Sequence, residues 1–207
     1  MNLIFDFGNS LTKYFFIQDD KVIDRGSFIS NKVDDNMLAI KNKRSIKKLI
    51  YSSVVDDKRD ELSSIFKNSK IISLRDKTIK LPFTNEYKSE TLGDDRVALV
   101  SAGLSLYPNK DLLIIDIGTC ITYDIVTMNK KYLGGSISPG FNLRYSSLSD
   151  RTSNLPKLEF KIPKSLIGDS TEEHIHAGIY YGIIGEISYN IERQKVRFPN
   201  IEIIVSG

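Results

Sequence analysis

The chain has 207 residues, 41% of them apolar and 27% charged, with a formal net charge of +3. This length allows one large domain or two small ones with a buried core, and the composition is that of an ordinary soluble globular protein. So small a net charge does not by itself indicate a nucleic-acid or anionic-membrane partner, and no apolar run approaches the length that spans a bilayer.

Two further features indicate the cellular compartment. Cys120 is the single cysteine, which excludes an internal disulfide and is typical of a reducing cytosol. Its position inside a strand-like run favours a small core residue over a nucleophile. The N-terminus has no basic-then-apolar signal pattern. We therefore expect a cytoplasmic protein whose partner is neither a nucleic acid nor a membrane.

The first predicted elements form a hairpin, "NLIFDFGNSLTKYFFI" (2–17). Its first apolar run ends on Asp6, and the sequence Gly8-Asn9-Ser10 separates that run from Lys13 and further apolar residues. One interpretation is an ordinary turn, because hairpin turns use these residues constantly. The other interpretation is a turn shaped to hold a phosphate. The hairpin alone favours the ordinary turn.

After the hairpin, the pattern alternates between helices and strands. It predicts a charged helix over 35–49, a buried strand over 48–55, a helix over 58–68, a strand over 70–74 and a helix over 94–107. The densest basic stretch, "KNKRSIKK" (41–48), is interpreted as a solvated helix face rather than a nucleic-acid patch.

An internal repeat then follows, because "LLIIDIGTCITYDIVT" from Leu112 resembles the opening hairpin. Aligned 110 positions apart, Asp116 corresponds to Asp6, Gly118 to Gly8 and Thr122 to Thr12. In each copy a polar turn follows, and then a predicted strand that contains glycine. Two strand–turn–strand units at one spacing indicate a duplicated domain.

The last predicted elements are a long helix over 170–196, with a cap at Ser170 or Thr171, and a final strand in "IEIIVSG". Hairpins followed by alternating strands and helices predict an α/β fold. We place the boundary near residue 110, which gives an N-terminal domain over 1–110 and a C-terminal domain over 111–207.

The paired turns have the chemistry of a phosphate site. A glycine after a strand leaves backbone N–H groups free to face an anion, Asn9 and Ser10 add donors, and Lys13 adds a positive charge. The acid, Asp6, can hold a hydrated Mg²⁺, since this ion keeps its waters and takes one or two carboxylates. One copy alone would be read as a turn, but two copies in matching contexts favour a phosphate clamp.

The pair of turns resembles those of the actin-like ATPase and sugar-kinase superfamily, and further motifs resemble the type III pantothenate kinases. "YKSETLGDDR" (87–96) is similar to that family's Y-x-x-P-x-x-L-G-x-D-R, and "GGSISPG" (134–140) to its G-G-x-I-x-P-G. "SLSDRTSNLP" (147–156) and "STEEHIHAGIYYGIIGEI" (170–187) resemble the segments that follow in the family. These motifs occur in the family's order and cover nearly the whole chain.

The resemblance implies a fold, a reaction and a set of cofactors. The fold would be two ribonuclease-H-like domains of the actin-like ATPase kind, each a mixed β-sheet flanked by helices, with a nucleotide cleft between them. The reaction would be ATP-dependent phosphorylation of pantothenate, the first step of coenzyme A synthesis. Its cofactors would be Mg²⁺ and a monovalent cation, potassium or ammonium, and the chain would form a homodimer.

The resemblance also assigns roles to residues of this chain. The ATP phosphates would be contacted by the first turn and, from the other half, by a second: Asp6, Phe7, Gly8, Asn9, Ser10, Leu11, Thr12, Lys13 and Thr119. Asp116 would hold the monovalent cation, and Asp6 would hold Mg²⁺ through water. The pantothenate pocket would be lined by Tyr87, Gly93, Asp94, Asp95, Arg96 and Thr171, with Asp95 as the catalytic base.

The residue types suit these roles, but other interpretations stay open. Arg96 can bind the pantothenate carboxylate through two hydrogen bonds. Asp94 is a second acid in the same turn as Asp95, and the choice of base depends on geometry. Both acids also suit a helix N-terminus, where the macrodipole favours negative charge. His174 and His176 are two apart, which is not the spacing of paired zinc ligands on a helix.

The sequence departs from the family pattern in three places. Ser10 stands where the family usually has threonine, and the proline expected between Tyr87 and Leu92 is absent. The chain also stops at "IVSG", where the family continues into a Gly-Gly turn near the adenosine, so we expect a C-terminal domain truncated after Gly207. The alternative function is a catalytically inactive relative that binds nucleotide and regulates through a protein partner. Retention of Asp6, Asp95, Arg96 and Asp116 argues against that alternative.

Overall fold

The computed structural model describes residues 1–30, 33–86 and 92–207, with residues 33–35 described by their backbone alone. The chain divides into two compact units. The first contains Met1–Leu81 and the start of a helix up to Ser101, and the second contains residues 82–86 and Ala102–Gly207. The predicted domains, 1–110 and 111–207, place the boundary a few residues later, after the same helix.

The first unit contains a five-stranded mixed sheet. Its strands are β1 (Asn2–Phe7), β2 (Leu11–Gln18), β3 (Lys21–Ile29), β4 (Lys48–Ser53) and β5 (Lys70–Ser73), in the order β3-β2-β1-β4-β5. β1, β2 and β3 pair antiparallel, whereas β1, β4 and β5 pair parallel. The helices are α1 (Val33–Lys43) and α2 (Arg59–Ile65), which provide the crossovers that parallel strands require.

The core of the first unit follows from the two-residue period of β1. Leu3, Phe5 and Phe7 are buried on one face, where they join side chains of both helices such as Met37 and Leu62. The other face of β1 carries Asp6. The same alternation that builds the core therefore turns the acid of the first motif away from it.

The second unit also contains a five-stranded mixed sheet. Its strands are β6 (Thr84–Asn85), β7 (Leu112–Ile117), β8 (Cys120–Val126), β9 (Lys131–Pro139) and β10 (Glu202–Ser206), in the order β10-β7-β8-β9-β6. The helices are α4 (Phe141–Arg151) and α5 (Thr171–Arg197), and α3 (Asp94–Leu106) runs from the first unit into the second. Buried side chains of β7, β8 and α5, including Ile115, Tyr123 and Ile179, form its core.

The predicted α/β class and the duplication are confirmed. In each unit an antiparallel meander of three strands is extended by a parallel strand next to its first strand, β4 beside β1 and β10 beside β7. Even the irregularities repeat, because the register shifts between Phe16 and Ile17 in one meander and between Ile125 and Val126 in the other.

The predicted alignment of Thr12 with Thr122 is wrong by one residue. Phe7 pairs with Thr12, whereas Ile117 pairs with Ile121, so the second turn is one residue shorter. Four residues separate Ile17 from its partner Val22, whereas five separate Val126 from its partner Tyr132. The second connection is therefore one residue longer, and the spacing of 110 between the two units is restored in the third strand.

The sequence pattern also misjudged some elements. The helix predicted over 35–49 ends at Lys43, because Lys48 already pairs with Asn2 as the start of β4. The pattern did not predict α4 or the two-residue β6. Helix α5 was predicted correctly, and its cap is Ser170, whose hydroxyl accepts the Glu173 N–H at 3.3 Å.

The double glycine of "GGSISPG" is required by the bulge in β9. Gly134 has a φ of 98°, in the left-handed region that side chains disfavour. A Cβ on Gly135 would lie 1.6 Å from the carbonyl oxygen of Tyr123 on the neighbouring strand. The glycines therefore allow β8 and β9 to approach each other.

Replacing Gly135 with alanine should destabilise the protein, because the strands must separate to admit the methyl group. We expect Gly135→Ala to lower the free energy of unfolding by more than about 1 kcal/mol. The control is Ser136→Ala, at the next and exposed position of β9, which should stay within about 0.5 kcal/mol of wild type. Urea denaturation measures both, and equal stability of the two variants would contradict the close approach.

Candidate functional site

The first turn holds its carbonyl groups in internal hydrogen bonds. The Gly8 N–H donates to the Leu11 carbonyl at 3.1 Å. Ser30 binds two more carbonyls, since its hydroxyl donates to that of Gly8 at 2.7 Å and its N–H to that of Ser10 at 3.2 Å. Thr12 is fully buried, with its hydroxyl 3.2 Å from that of Ser30. Three carbonyl groups of this turn are thus engaged. The expectation that the glycine N–H would be free to face an anion is wrong for Gly8, and also for Gly118, whose N–H donates to the Cys120 carbonyl.

Asp6 lies between two strands that each bring a polar partner beside it. On β2 it is directly opposite Lys13, so the two side chains share one face of the sheet. On β4 it pairs with Ser52, whose hydroxyl donates to Asp6 Oδ1 at 2.8 Å. The acid is therefore held at the end of β1, with a lysine on one side and a serine on the other.

The N-terminus of α3 is attached to the end of β4 by Asp94. This carboxylate is 4% exposed and accepts the Ser53 N–H at 3.2 Å and the Arg75 Nε at 3.2 Å. Arg75 also donates to the Ser53 carbonyl, at 2.5 Å. Asp94 is thus engaged in a structural network, and it is ill placed to accept a proton from a substrate.

The next two residues differ from Asp94 in exposure. Asp95 is partly exposed, and its Oδ1 accepts the Arg96 N–H at 2.8 Å in the first turn of α3. Arg96 is 7% exposed. Gly93 precedes the helix, and Tyr87, predicted in the same pocket, lies outside the described residues.

The second turn is closed by a different set of bonds. The Gly118 N–H donates to the Cys120 carbonyl at 3.0 Å, and the Gly140 N–H donates to the Thr119 carbonyl at 3.0 Å. A Cβ on Gly140 would lie 2.2 Å from the Gly118 carbonyl oxygen. This glycine thus brings the N-terminus of α4 against the turn, where the helix dipole favours a negative charge.

Asp116 is directly opposite Thr122, whereas the first copy has Lys13 opposite its acid. The two side chains share one face of the sheet, and the Thr122 hydroxyl is buried without a hydrogen-bond partner among the described residues. The first copy thus pairs its acid with a cation, and the second pairs its acid with an uncharged oxygen. The shorter second turn is what brings Thr122, rather than Tyr123, opposite the acid.

Behind the second turn, one carboxylate joins four elements. Glu186 on α5 accepts hydrogen bonds from Ser138 on β9 at 2.5 Å, from Tyr123 on β8 at 2.8 Å and from Arg144 on α4. Burial acts to raise the pKa of Glu186, but the three hydrogen bonds outweigh it and hold the pKa below its usual range. Arg144 also donates to the Pro139 carbonyl at 2.8 Å, which fixes α4 next to Gly140.

The remaining predicted residue, Thr171, is the exposed first residue of α5. The two histidines make separate bonds, His174 with the Gly168 carbonyl and His176 with the Tyr145 hydroxyl. Within the described residues there is no group of three or more potential metal-binding side chains of His, Cys, Asp or Glu. No helix in the described part of the chain is long and apolar enough to cross a membrane.

The residues that support the site were not predicted from the sequence; they are Ser52, Ser53, Arg75, Arg144 and Glu186. A signal existed for the two serines, because polar residues that end a buried parallel strand mark the edge where α/β sheets bind ligands. The other three are ordinary charged residues, and their partners are distant in sequence.

Fold and site together define a class, the α/β proteins built from two similar mixed β-sheets flanked by helices, each with an acid–glycine turn after its first strand. Among solved structures, an exopolyphosphatase from Cytophaga hutchinsonii matches all of this chain and 66% of its own, with a TM-score of 0.50 and 13% identity. A Campylobacter jejuni protein assigned to the Baf family of transcriptional activators matches 90% of this chain and 77% of its own, with a TM-score of 0.58 and 24% identity.

Sequence comparison narrows the class to one family. The sequence pattern of the type III pantothenate kinases matches residues 2–193. A type III pantothenate kinase from Christiangramia forsetii is 41% identical over 209 residues, which cover all of this chain and 86% of the relative. Relatives of the same name from Flavobacterium johnsoniae and Bacteroides fragilis are 36% and 35% identical, each covered to 85%. The chain belongs to the type III pantothenate kinase family.

The lowered pKa of Glu186 predicts a pH dependence of stability. A carboxylate with a depressed pKa contributes stability above its ordinary pKa of 4.5, and this is lost as the pH falls through the lower folded value. Glu186→Gln should therefore be less stable than wild type at pH 7, and the difference should narrow below pH 4.5.

Chemical denaturation between pH 7 and pH 3 measures this difference. Glu192→Gln is the control, because this glutamate is exposed on the same helix. The control should follow the wild-type curve. A difference between Glu186→Gln and wild type that stays constant down to pH 3 would contradict the assigned role of the carboxylate.

Proposed function

We propose that this chain phosphorylates pantothenate with ATP to give 4′-phosphopantothenate, the first step of coenzyme A synthesis. The observation that carries this proposal is the family match over residues 2–193. The duplicated acid–glycine turns, each at the end of the first strand of its sheet, provide chemistry suited to such a reaction. Phosphoryl transfer needs mainly positioning and stabilisation of charge, which these turns can supply.

In this proposal the first turn binds the phosphates of ATP. The carbonyls of Gly8, Ser10 and Leu11 are engaged by protein donors, so a phosphate approaching the turn is not repelled by them. Lys13 adds a positive charge, and Thr119 contacts the nucleotide from the second turn. The other residues between positions 6 and 13 would also contact the ATP phosphates, as predicted from the sequence.

Two carboxylates would hold the cations. Asp6 binds Mg²⁺ through water, which suits a carboxylate already sharing one oxygen with Ser52. Asp116 binds potassium or ammonium. The buried hydroxyl of Thr122, which has no hydrogen-bond partner in the described part of the chain, lies on the same face of the sheet and is a fitting second oxygen for such a cation. When bound, the cations neutralise the charge of the transferring phosphate.

We assign the role of catalytic base to Asp95. Asp94 is nearly fully buried and is bound by Arg75 and Ser53, whereas Asp95 is accessible on the same helical turn. The base would take the proton of the attacking pantothenate hydroxyl. Arg96 would bind the pantothenate carboxylate, and Gly93 and Thr171 would line the pocket.

The test is ATP consumption in the presence of pantothenate, with and without potassium. Asp95→Asn should lower kcat by about 10²–10⁴-fold, the usual contribution of general base catalysis. Removing potassium and ammonium should lower the activity of the wild type. Asp60→Asn, which changes an exposed acid on α2, should leave the rate unchanged.

The outcomes separate the parts of this proposal. Absence of pantothenate-dependent turnover in the wild type would overturn the kinase function. ATP binding without turnover would instead fit the inactive regulatory relative. Full activity of Asp95→Asn would overturn the assigned base and leave the reaction in place.

We also propose that the chain forms a homodimer through α5. Gly178, Gly182, Gly185 and Tyr189 follow one another at spacings of four, three and four, which places them on one line of the helix. Apart from the helix's own backbone, no atom of the described residues lies within 4 Å of a Cβ built on Gly178 or Gly185. Arg144 Nη1 lies 3.7 Å from a Cβ built on Gly182, and Tyr189 is 63% exposed. A second helix can approach closely along such a line.

A bulky residue on this line should prevent the dimer without harming the fold. Gly185→Leu has open space around its new side chain and should shift the protein from dimer to monomer in light scattering after gel filtration. Lys195→Leu adds the same side chain to an exposed position on another side of α5 and should remain dimeric. A wild type that is monomeric, or a dimeric Gly185→Leu, would contradict the proposal.

A further inference from the structure

The first unit contains a cavity of about 350 Å³ at the end of its sheet opposite the first turn. Its lining comes from the segments just before β4 and β5, where the parallel strands begin, whereas the first turn follows the end of β1. Six residues of β1 separate these two ends, a distance of about 20 Å. The cavity, which we call the basic pocket, is therefore distinct from the proposed phosphate turn of the same unit.

The rim of the basic pocket is cationic. Lys41 at the end of α1, Arg44 after that helix and Lys67 after α2 all line it. None of the described residues that line it is acidic. The three cations come from two chain segments, and an anion between them would relieve their mutual repulsion.

The other residues that line the pocket are polar or apolar. Ser45, Asn68 and Ser69 line it, together with the buried side chains of Ile46 and Phe66. The two walls are joined, because the Ser69 hydroxyl donates to the Ile46 carbonyl at 2.8 Å. The volume lies in the range of about 300–1,000 Å³ that is usual for small-molecule sites.

The surrounding surface adds to the positive potential. Lys47, Lys48 and Lys70 are exposed at the same end of the sheet but do not line the pocket. The basic stretch interpreted from sequence as a solvated helix face thus folds against a second basic segment, 67–70. Two cationic segments around one cavity favour an anion that carries several charges.

We propose that the basic pocket binds a small ligand with two linked phosphate groups. The phosphates would bind Lys41, Arg44 and Lys67, and the Ser45 hydroxyl and the Asn68 side-chain amide would donate to their oxygens. The Ser69 hydroxyl already donates to the Ile46 carbonyl and serves to join the two walls. The apolar side chains that line the pocket can accommodate an organic part of the ligand. This site is additional to the proposed kinase reaction and does not depend on it.

The test is a titration of the full chain, labelled with ¹⁵N, followed by NMR in 0.15 M salt with inorganic pyrophosphate as the probe. Saturable shifts of the backbone amides of Ser45, Asn68 and Ser69 are expected. In the triple variant Lys41→Gln/Arg44→Gln/Lys67→Gln, binding at these amides should weaken at least about tenfold, since each lost charged hydrogen bond is worth that much.

The matched control removes three charges from the same surface outside the pocket, in Lys47→Gln/Lys48→Gln/Lys70→Gln. Its affinity at the three amides should change much less, because these three side chains do not line the pocket and make no direct contact with the ligand. If the first triple variant does not fold, Lys67→Gln alone, outside the helices, replaces it and should also weaken binding.

A second titration, with ADP, identifies the source of the diphosphate. Tighter binding of ADP than of pyrophosphate at the three amides would indicate an organic ligand, and equal binding an inorganic one. Equal weakening in both triple variants, shifts confined to residues 8–11, or no saturable shift would overturn the proposal. Asp95→Asn should bind pyrophosphate at the pocket as the wild type does, which keeps this result separate from the kinase test.

Discussion

The parallel pairing of β1 with β4 is the contact on which the arrangement of the first unit depends. Its register sets Asp6 beside Ser52 and Phe7 beside Ser53. The Ser52 hydroxyl then holds the Asp6 carboxylate, and the Ser53 N–H holds Asp94 at the start of α3. A shift of one residue would turn Asp6 towards the core and separate α3 from the sheet, because side chains alternate between the two faces.

The two adjacent acids of α3 illustrate how burial divides roles between similar residues. Asp94 is bound by Arg75 and by the end of β4, so it fixes the helix. This attachment leaves Asp95 on the same turn but more exposed, and holds it in a fixed position. A structural acid and an accessible acid thus occupy neighbouring positions of "GDDR". Arg75 provides the compensating charge that a buried carboxylate requires.

The duplication has produced two turns that are related but not equivalent. The first turn has one more residue and puts a lysine opposite its acid, while the second puts a threonine there. The second turn is also supported from behind by α4 and by the carboxylate of Glu186, which joins four elements. The same strand topology therefore presents a cationic partner in one unit and neutral oxygens in the other.

The sequence alone determined the α/β class, the repeated hairpins and the family, because residue periodicity and short motifs record local structure directly. It also located the glycines of "GGSISPG". Why glycine is needed there follows from the tertiary structure, because β8 and β9 approach each other too closely for a side chain. Tertiary structure decided the shorter second turn, the attachment of Asp94 by Arg75 and the joining of segments 41–46 and 66–69 into one pocket. These features depend on strand register and helix packing between residues far apart in the chain, and the local pattern of side chains does not specify either.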